Sequence, residues 1–297
     1  MTERQLEILE LLQKDYSPYE ICTALGIDLN KLFIEMNNLK FSLRNTKRFM
    51  PNGSFHDTGE EQNEYAIWTK EKCNHFKFII LGDTHVGSKY ESEKNINVAI
   101  NFADKNKIHY ILNLGDLIDG ELGPAKSIGD VDKQIDRFIR IYPRDDSMIN
   151  LVCLGNHDFH IHTATNLAKR INESRPDVVC MGYGTQEVKI KNDSIILRHP
   201  IATEKEPKGS LILRGHSHIA LFNQNNYIFC PAISNVLWEG NQPGFYILEV
   251  EFKNGYLWNG EFHHYIINGN NVIKASAFRT DFEDNDKVKH KTIGHIL

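Results

Sequence analysis

Three apolar runs, FKFIIL (76–81), IHYILNL (108–114) and INLVCL (149–154), are separated by two segments of helical period, and this alternation restricts the fold more than any other feature. Runs that are nearly continuously apolar belong to strands buried on both faces. The segments between them carry Ile96, Ala99, Ile100 and Ala103, then Val131, Ile135, Phe138, Ile139 and Tyr142, each set spaced along one helix face. Strand, helix, strand in this order implies a parallel sheet with right-handed crossovers. Beyond about residue 178 the pattern changes to strands, VVCM, EVKI, SIILR, LILR, YIFC and FYILEVEF, and a second sheet rich in hairpins is expected to pack on the first. The chain reads as an α/β protein.

The first fifty residues follow a different rule. Leu6, Leu9 and Leu12 mark one helical segment, Ser17-Pro18 starts a second that turns at Leu25-Gly26, and Leu29, Leu32, Phe33, Met36 and Leu39 share a face of a third. The stretch SPYEICTALGIDLNKLFIEMNNLK resembles a helix-turn-helix. Residues 1–39 hold three basic side chains against seven acidic ones, a poor match to a phosphate backbone. Lys40, Arg44, Lys47 and Arg48 follow at the end of the last helix. DNA contact through residues 17–48 and a purely packing role are both consistent with this pattern. The reading divides the chain into a helical unit over 1–50, a turn-rich linker over 51–75, a large domain over 76–267 and a polar tail over 268–297.

Composition excludes several classes. A net charge of -5 argues against nucleic-acid binding spread over the whole surface. The five cysteines are scattered and include no Cys-x-x-Cys pair, as expected of reduced core thiols in the cytoplasm. No apolar run is long enough to span a bilayer, so no membrane partner is expected. Other phosphate chemistries lack their motifs: there is no Gly-x-x-x-x-Gly-Lys-Ser/Thr loop, no Cys followed six positions later by Arg, and no Gly-x-Ser-x-Gly elbow.

The chemistry collects where the strands end. FKFIIL runs into Gly82-Asp83-Thr84-His85, and the next strand into Gly115-Asp116-Leu117-Ile118-Asp119. INLVCL runs into Gly155-Asn156-His157-Asp158, SIILR into His199, and LILR into Gly215-His216-Ser217-His218. Ligands of open α/β sheets bind at the carboxyl ends of the strands. Each pattern alone is an ordinary turn, but five in succession, each behind its own strand, are not what solvated loops produce. They deliver Asp83, His85, Asp116, Asn156, His157, His199, His216 and His218 toward one crevice. Imidazoles, carboxylates and one amide oxygen suit Mn, Fe or Zn better than Ca or Mg, and there are enough of them for two ions.

Asp83-x-His85, Gly115-Asp116-x-x-Asp119, Gly155-Asn156-His157-Asp158, His199 and Gly215-His216-x-His218 together resemble the motif set of the calcineurin-like metallophosphoesterase superfamily. The resemblance spans residue 76 to about 252. It implies a four-layer α/β/β/α sandwich of two mixed sheets and two divalent ions, with manganese expected and iron or zinc as alternatives. It implies that Asp83, His85 and His218 hold the first ion, Asn156, His199 and His216 the second, and that Asp116 bridges them. His157 would face the substrate, oriented by Asp158, and Asp119 would steady a ligand histidine. His160 and His162 lie past the turn and are the weaker candidates for the isolated ligand position. The implied reaction is hydrolysis of a phosphate ester by a hydroxide shared between the two ions. DTHVGSKYES resembles the first motif of the DNA-repair exonuclease branch, which directs the expectation to a phosphodiesterase acting on nucleic acid or a nucleotide. A phosphomonoesterase, or a DNA-binding scaffold built on a silent core, remain the alternatives.

Overall fold

The structure, a computed structural model, describes residues 2–13, 18–27, 31–32, 35, 64–67, 74–122, 127–145, 147–159, 167–175, 177–200, 211–223, 227–235 and 242–282. In chain order the elements are α1 (Glu3–Gln13), α2 (Pro18–Leu25), β1 (Glu64–Ile67), β2 (His75–Leu81), α3 (Glu93–Lys105), β3 (Tyr110–Asn113), α4 (Val131–Ile141) and β4 (Ile149–Leu154). They continue with α5 (Asn156–Phe159), α6 (Leu167–Ser174), β5 (Val178–Tyr183), β6 (Thr185–Ile190), β7 (Asp193–Arg198), β8 (Ile212–Arg214) and β9 (Leu221–Asn223). The last are β10 (Tyr227–Phe229), β11 (Gly244–Lys253), β12 (Tyr256–Asn268) and β13 (Asn271–Asp281). No helix among the described residues is long and apolar enough to cross a membrane.

Two mixed sheets result, ordered β13-β12-β11-β2-β3-β4-β5 and β1-β6-β7-β8-β10-β9. The alternation of β2 explains how they stack. Phe76, Phe78 and Ile80 enter a core shared with Val188, Ile195, Leu197 and Leu213 of the smaller sheet. Ile79 and Leu81 point the other way, against Ile96 and Ala99 of α3 and Ile135 and Phe138 of α4. Ile196 and Ile212 face away from the shared core of the smaller sheet and are nonetheless buried, so its far side is covered as well. The helices begin where their sequences supply a cap. Ser92 accepts from the Asn95 N–H and Asp130 from the Lys133 N–H.

Three sequence expectations change. VVCM and FYILEVEF do not build the second sheet: β5 runs parallel to β4 and β11 antiparallel to β2, so both extend the first. The polar tail expected from residue 268 begins instead with β13, paired along β12 from Asn268 to Asn259. Inside the expected linker, β1 pairs parallel with β6. Residues 283–297, most of the linker, and Lys40, Arg44, Lys47 and Arg48 lie outside the described residues. In the N-terminal unit Ile8, Ile21 and Leu32 form the buried contact, while Leu6 is 47% exposed.

The long β12 carries a testable titration. His264 lies beside Tyr246, with ring centroids 5.1 Å apart, and its Nε2 is buried without a hydrogen-bond partner among the described residues. Burial pushes this imidazole down to about 4. The folded pKa lies below the ordinary value, so the neutral form is favoured on folding. The associated stability is present above about pH 6.5 and is lost as pH falls toward 4, by up to about 3 kcal/mol. Urea unfolding across that range is expected to show a smaller loss for His264→Phe than for the unaltered chain. Equal losses contradict the assignment.

Candidate metal centre

Every strand-end motif lands on one edge of the molecule, because β2, β3 and β4 run parallel in one sheet and β7 and β8 run parallel in the other. Their carboxyl ends bring two sets of ligand atoms together. Asp83, His85, Asp116 and His218 form one group and Asp116, His199 and His216 another, with ligand atoms in each group within 4.8 Å of one another. Asp116 belongs to both. Its Oδ2 lies 3.1 Å from His199 Nε2 and 3.8 Å from His85 Nε2. The amide oxygen of Asn156 joins the second group, 3.0 Å from His199 Nε2 and 2.9 Å from His216 Nδ1. In the first group His218 Nε2 is 3.2 Å from Asp83 Oδ1 and 3.2 Å from His85 Nε2.

The local backbone is built for this placement. Gly155 follows β4, and a Cβ there would collide with Asp116 Oδ1, so only glycine lets the carboxylate sit between the two groups. His199 Nδ1 lies 2.6 Å from the carbonyl oxygen of Leu114. A carbonyl only accepts, so Nδ1 carries the proton and Nε2 is left as the ligand atom. Asp83, His85, Asp116, His216 and His218 all have positive φ, at 54°, 43°, 49°, 75° and 57°. They are five of the eight non-glycine residues in that conformation among the described residues.

The electrostatics match a cation site. Burial alone would raise Asp83, yet His218 beside it, with His199, holds the carboxyl below its ordinary value. Asp116 is likewise buried, and His199, His85 and His157 hold it far below the usual carboxylate range. Burial would lower His199, but Asp116 and Asp83 raise it to about 9. His85 is also raised, against its burial, by Asp119 and Asp116. His216, more open, is lowered by burial and by His199. Asp83 Oδ2 is buried with no partner among the described residues. Imidazole nitrogens facing one another, an orphaned carboxylate oxygen and a carboxylate common to both groups fit a pair of divalent cations better than they fit each other.

The remaining candidates separate. The partly exposed His157 donates from Nδ1 to the Asp119 carbonyl oxygen at 2.7 Å, and its ring centroid is 4.7 Å from that of His85. Asp119 Oδ1 faces His85 Nδ1 at 3.5 Å. Asp158 departs from expectation. Its buried carboxylate accepts from the N–H groups of Leu117, Ile118 and Gly155, at 2.9 to 3.2 Å, and thereby ties the second motif to the third. The carbonyl of Asp119, rather than Asp158, is what orients His157. Burial and Asp116 push Asp158 up to about 7 against those three donors. His160 and His162 lie outside the described residues.

Two residues that the sequence reading passed over also serve the site. Asn113, buried at the end of β3, accepts from the Gly115 N–H at 3.0 Å and so shapes the turn that carries Asp116. Gln134 grips the loop behind Asp119. A fully polar side chain on the apolar face of α4 was the available signal for Gln134.

This fold and this centre define a metal-dependent hydrolase of phosphate esters. Residues 76–220 match the model of the calcineurin-like phosphoesterase family, and the chain carries a domain of that family. No curated protein matches the sequence. Solved structures that match the chain include three with the following likeness. An anchor protein of the inner membrane complex of Plasmodium is 12% identical, covers 72% of this chain and 91% of its own, and has a TM-score of 0.43. A nuclease of Pseudomonas putida is 13% identical, with 66% and 85% covered and a TM-score of 0.35. A phosphatase of Mycoplasma pneumoniae is 16% identical, with 71% and 95% covered and a TM-score of 0.32. Similarity at this level does not bear on substrate.

Proposed function

We propose that the chain is a dinuclear phosphodiesterase acting on nucleic acid or a nucleotide. Asp83, His85 and His218 would hold one ion, Asn156, His199 and His216 the other, and Asp116 both. The observation that carries the reading is the clustering of left-handed backbone at five of these seven residues, Asp83, His85, Asp116, His216 and His218. Each non-glycine residue held there costs about 1 kcal/mol or more, and such strain persists where function requires the side chain to be aimed. Manganese is the proposed metal, from the mixture of imidazole, carboxylate and amide donors.

Bound there, two divalent ions supply a water of lowered pKa as nucleophile and offset charge on the phosphoryl oxygens. The chain supplies the rest. His157 keeps its Nδ1 proton on the Asp119 carbonyl. Its Nε2 is then the ring's site for the proton delivered to the leaving oxygen. Asp116 accepts from the backbone N–H of His157 at 3.0 Å and so fixes the residue beside the site. Asp158 holds the motif turns together and keeps this geometry fixed.

The first motif, DTHVGSKYES, supports a diester of nucleic acid or a nucleotide as substrate. Contact with DNA through residues 17–48 rests on Lys40, Arg44, Lys47 and Arg48 and belongs to the same proposal. A cytoplasmic setting, read from cysteines scattered without a Cys-x-x-Cys pair, belongs to the same proposal. The test is hydrolysis of bis(p-nitrophenyl) phosphate and of p-nitrophenyl phosphate with added manganese. The expected result is faster turnover of the diester, abolished by chelation and restored by manganese. Faster turnover of the monoester overturns the diesterase reading, and no turnover of either overturns the enzyme.

A further inference from the structure

Gln134 is completely buried on the face of α4 that also carries Val131 and Ile135. All its polar atoms are engaged. Oε1 accepts from the Gly120 N–H at 2.8 Å, and Nε2 donates to the carbonyl oxygens of Gly120 at 3.2 Å and Ile128 at 2.7 Å. The two carbonyl acceptors fix which end of the amide is oxygen. The loop after His85 rests on the same side chain: a Cβ at Gly87 would come within 2.5 Å of Gln134 Cγ. The Gly87 carbonyl in turn accepts from the N–H groups of Ser127 at 2.7 Å and Ile128 at 2.9 Å.

The Gly120 N–H and the Asp119 C=O are two ends of one peptide group. That group is planar and trans, so N–H and C=O point in opposite directions and turn together. Gln134 grips the N–H end, and the C=O end accepts from His157 Nδ1. Rotation of this peptide would take the acceptor away from His157. Gly120 also packs so closely on His157 that a Cβ would collide with the His157 carbonyl oxygen, which leaves no room for compensating movement.

We propose that Gln134 is a positioning residue for His157: by locking the peptide between Asp119 and Gly120, it holds the histidine in its Nδ1–H form. The inference rests on the reading of His157 as the substrate-facing proton donor. Gln134→Leu removes all three hydrogen bonds at nearly constant volume. Nitrogen NMR of the histidine-labelled full chain, without metal or substrate, is expected to show His157 protonated at Nδ1 in the unaltered protein. In the Leu variant it is expected to show a mixture of tautomers. With bis(p-nitrophenyl) phosphate and manganese, the Leu variant is expected to lose about 10- to 100-fold in kcat, with KM changed less than about twofold. The same change made on His157→Ala is expected to cost almost nothing further. A merely structural glutamine predicts equal losses in both backgrounds and an unaltered tautomer, and either result overturns the proposal. Should the Leu variant not fold, Gln134→Asn, one methylene short of Gly120, is read by the same measurements. If the unaltered chain hydrolyses neither ester, the enzymatic reading fails, and the tautomer measurement still decides the role of Gln134.

Discussion

Asp116→Asn is expected to lower diester turnover by roughly a thousandfold or more while leaving the unfolding transition almost where it was. Asp116 is the one carboxylate common to both ligand groups. The substitution preserves its shape and keeps an oxygen for the His157 N–H, which the Asp116 Oδ1 accepts at 3.0 Å. It removes the charge and turns half of the bridge into an amide NH2, which cannot bind a cation. A loss of about 4 kcal/mol of transition-state stabilisation corresponds to that thousandfold. The fold has little reason to change, since the residue is carried on a turn at a strand end and the cores lie on either side of the sheet. Steady-state kinetics with a thermal melt on the same sample decides it, and full turnover by a folded variant contradicts the bridging role.

Phe278→Ala is expected to destabilise the protein by about 3 to 5 kcal/mol, the usual cost of emptying a phenylalanine site in a core. The side chain sits on β13, stacks on Phe262 with centroids 4.7 Å apart and planes 9° apart, and meets Phe222 of the other sheet at 4.8 Å. One ring therefore connects the last strand to both sheets. Ile273, on the same strand but 48% exposed, provides the comparison: its change to Ala should cost less than about 1 kcal/mol. Urea unfolding of the two variants separates a strand that belongs to the core from a dispensable tail, and similar small losses in both would contradict the structure.

That the strand-end motifs meet was legible in the sequence because the parallel strands of an α/β sheet put all their carboxyl ends on one edge. Knowing the strands was enough to know that Asp83, Asp116 and Asn156 would meet. The role of Asp158 was misread because sequence adjacency is not spatial adjacency. It lies in α5, a single helical turn, and its carboxylate is taken by Leu117 and Ile118, 41 and 40 residues away. Gln134 was passed over for the same reason, since its partners Gly120 and Ile128 are backbone groups of a loop that the fold brings onto its helix.

β12 and β13 were hidden by a different cause. Their pairing carries irregularities between Glu251 and Phe252 and between His264 and Tyr265, which interrupt the period of two on which a strand is recognised. Leu6 misled because a short amphipathic helix offers more than one plausible stripe, and the buried contact with Ile21 and Leu32 selected Ile8.

The central claim is that two ions bind side by side on a shared Asp116. Anomalous diffraction at the manganese edge, from crystals of the full chain grown with the metal, tests it most directly. Two peaks about 3.5 to 4 Å apart are expected, one against Asp83, His85 and His218 and the other against Asn156, His199 and His216. A single peak, or none within reach of Asp116, contradicts it.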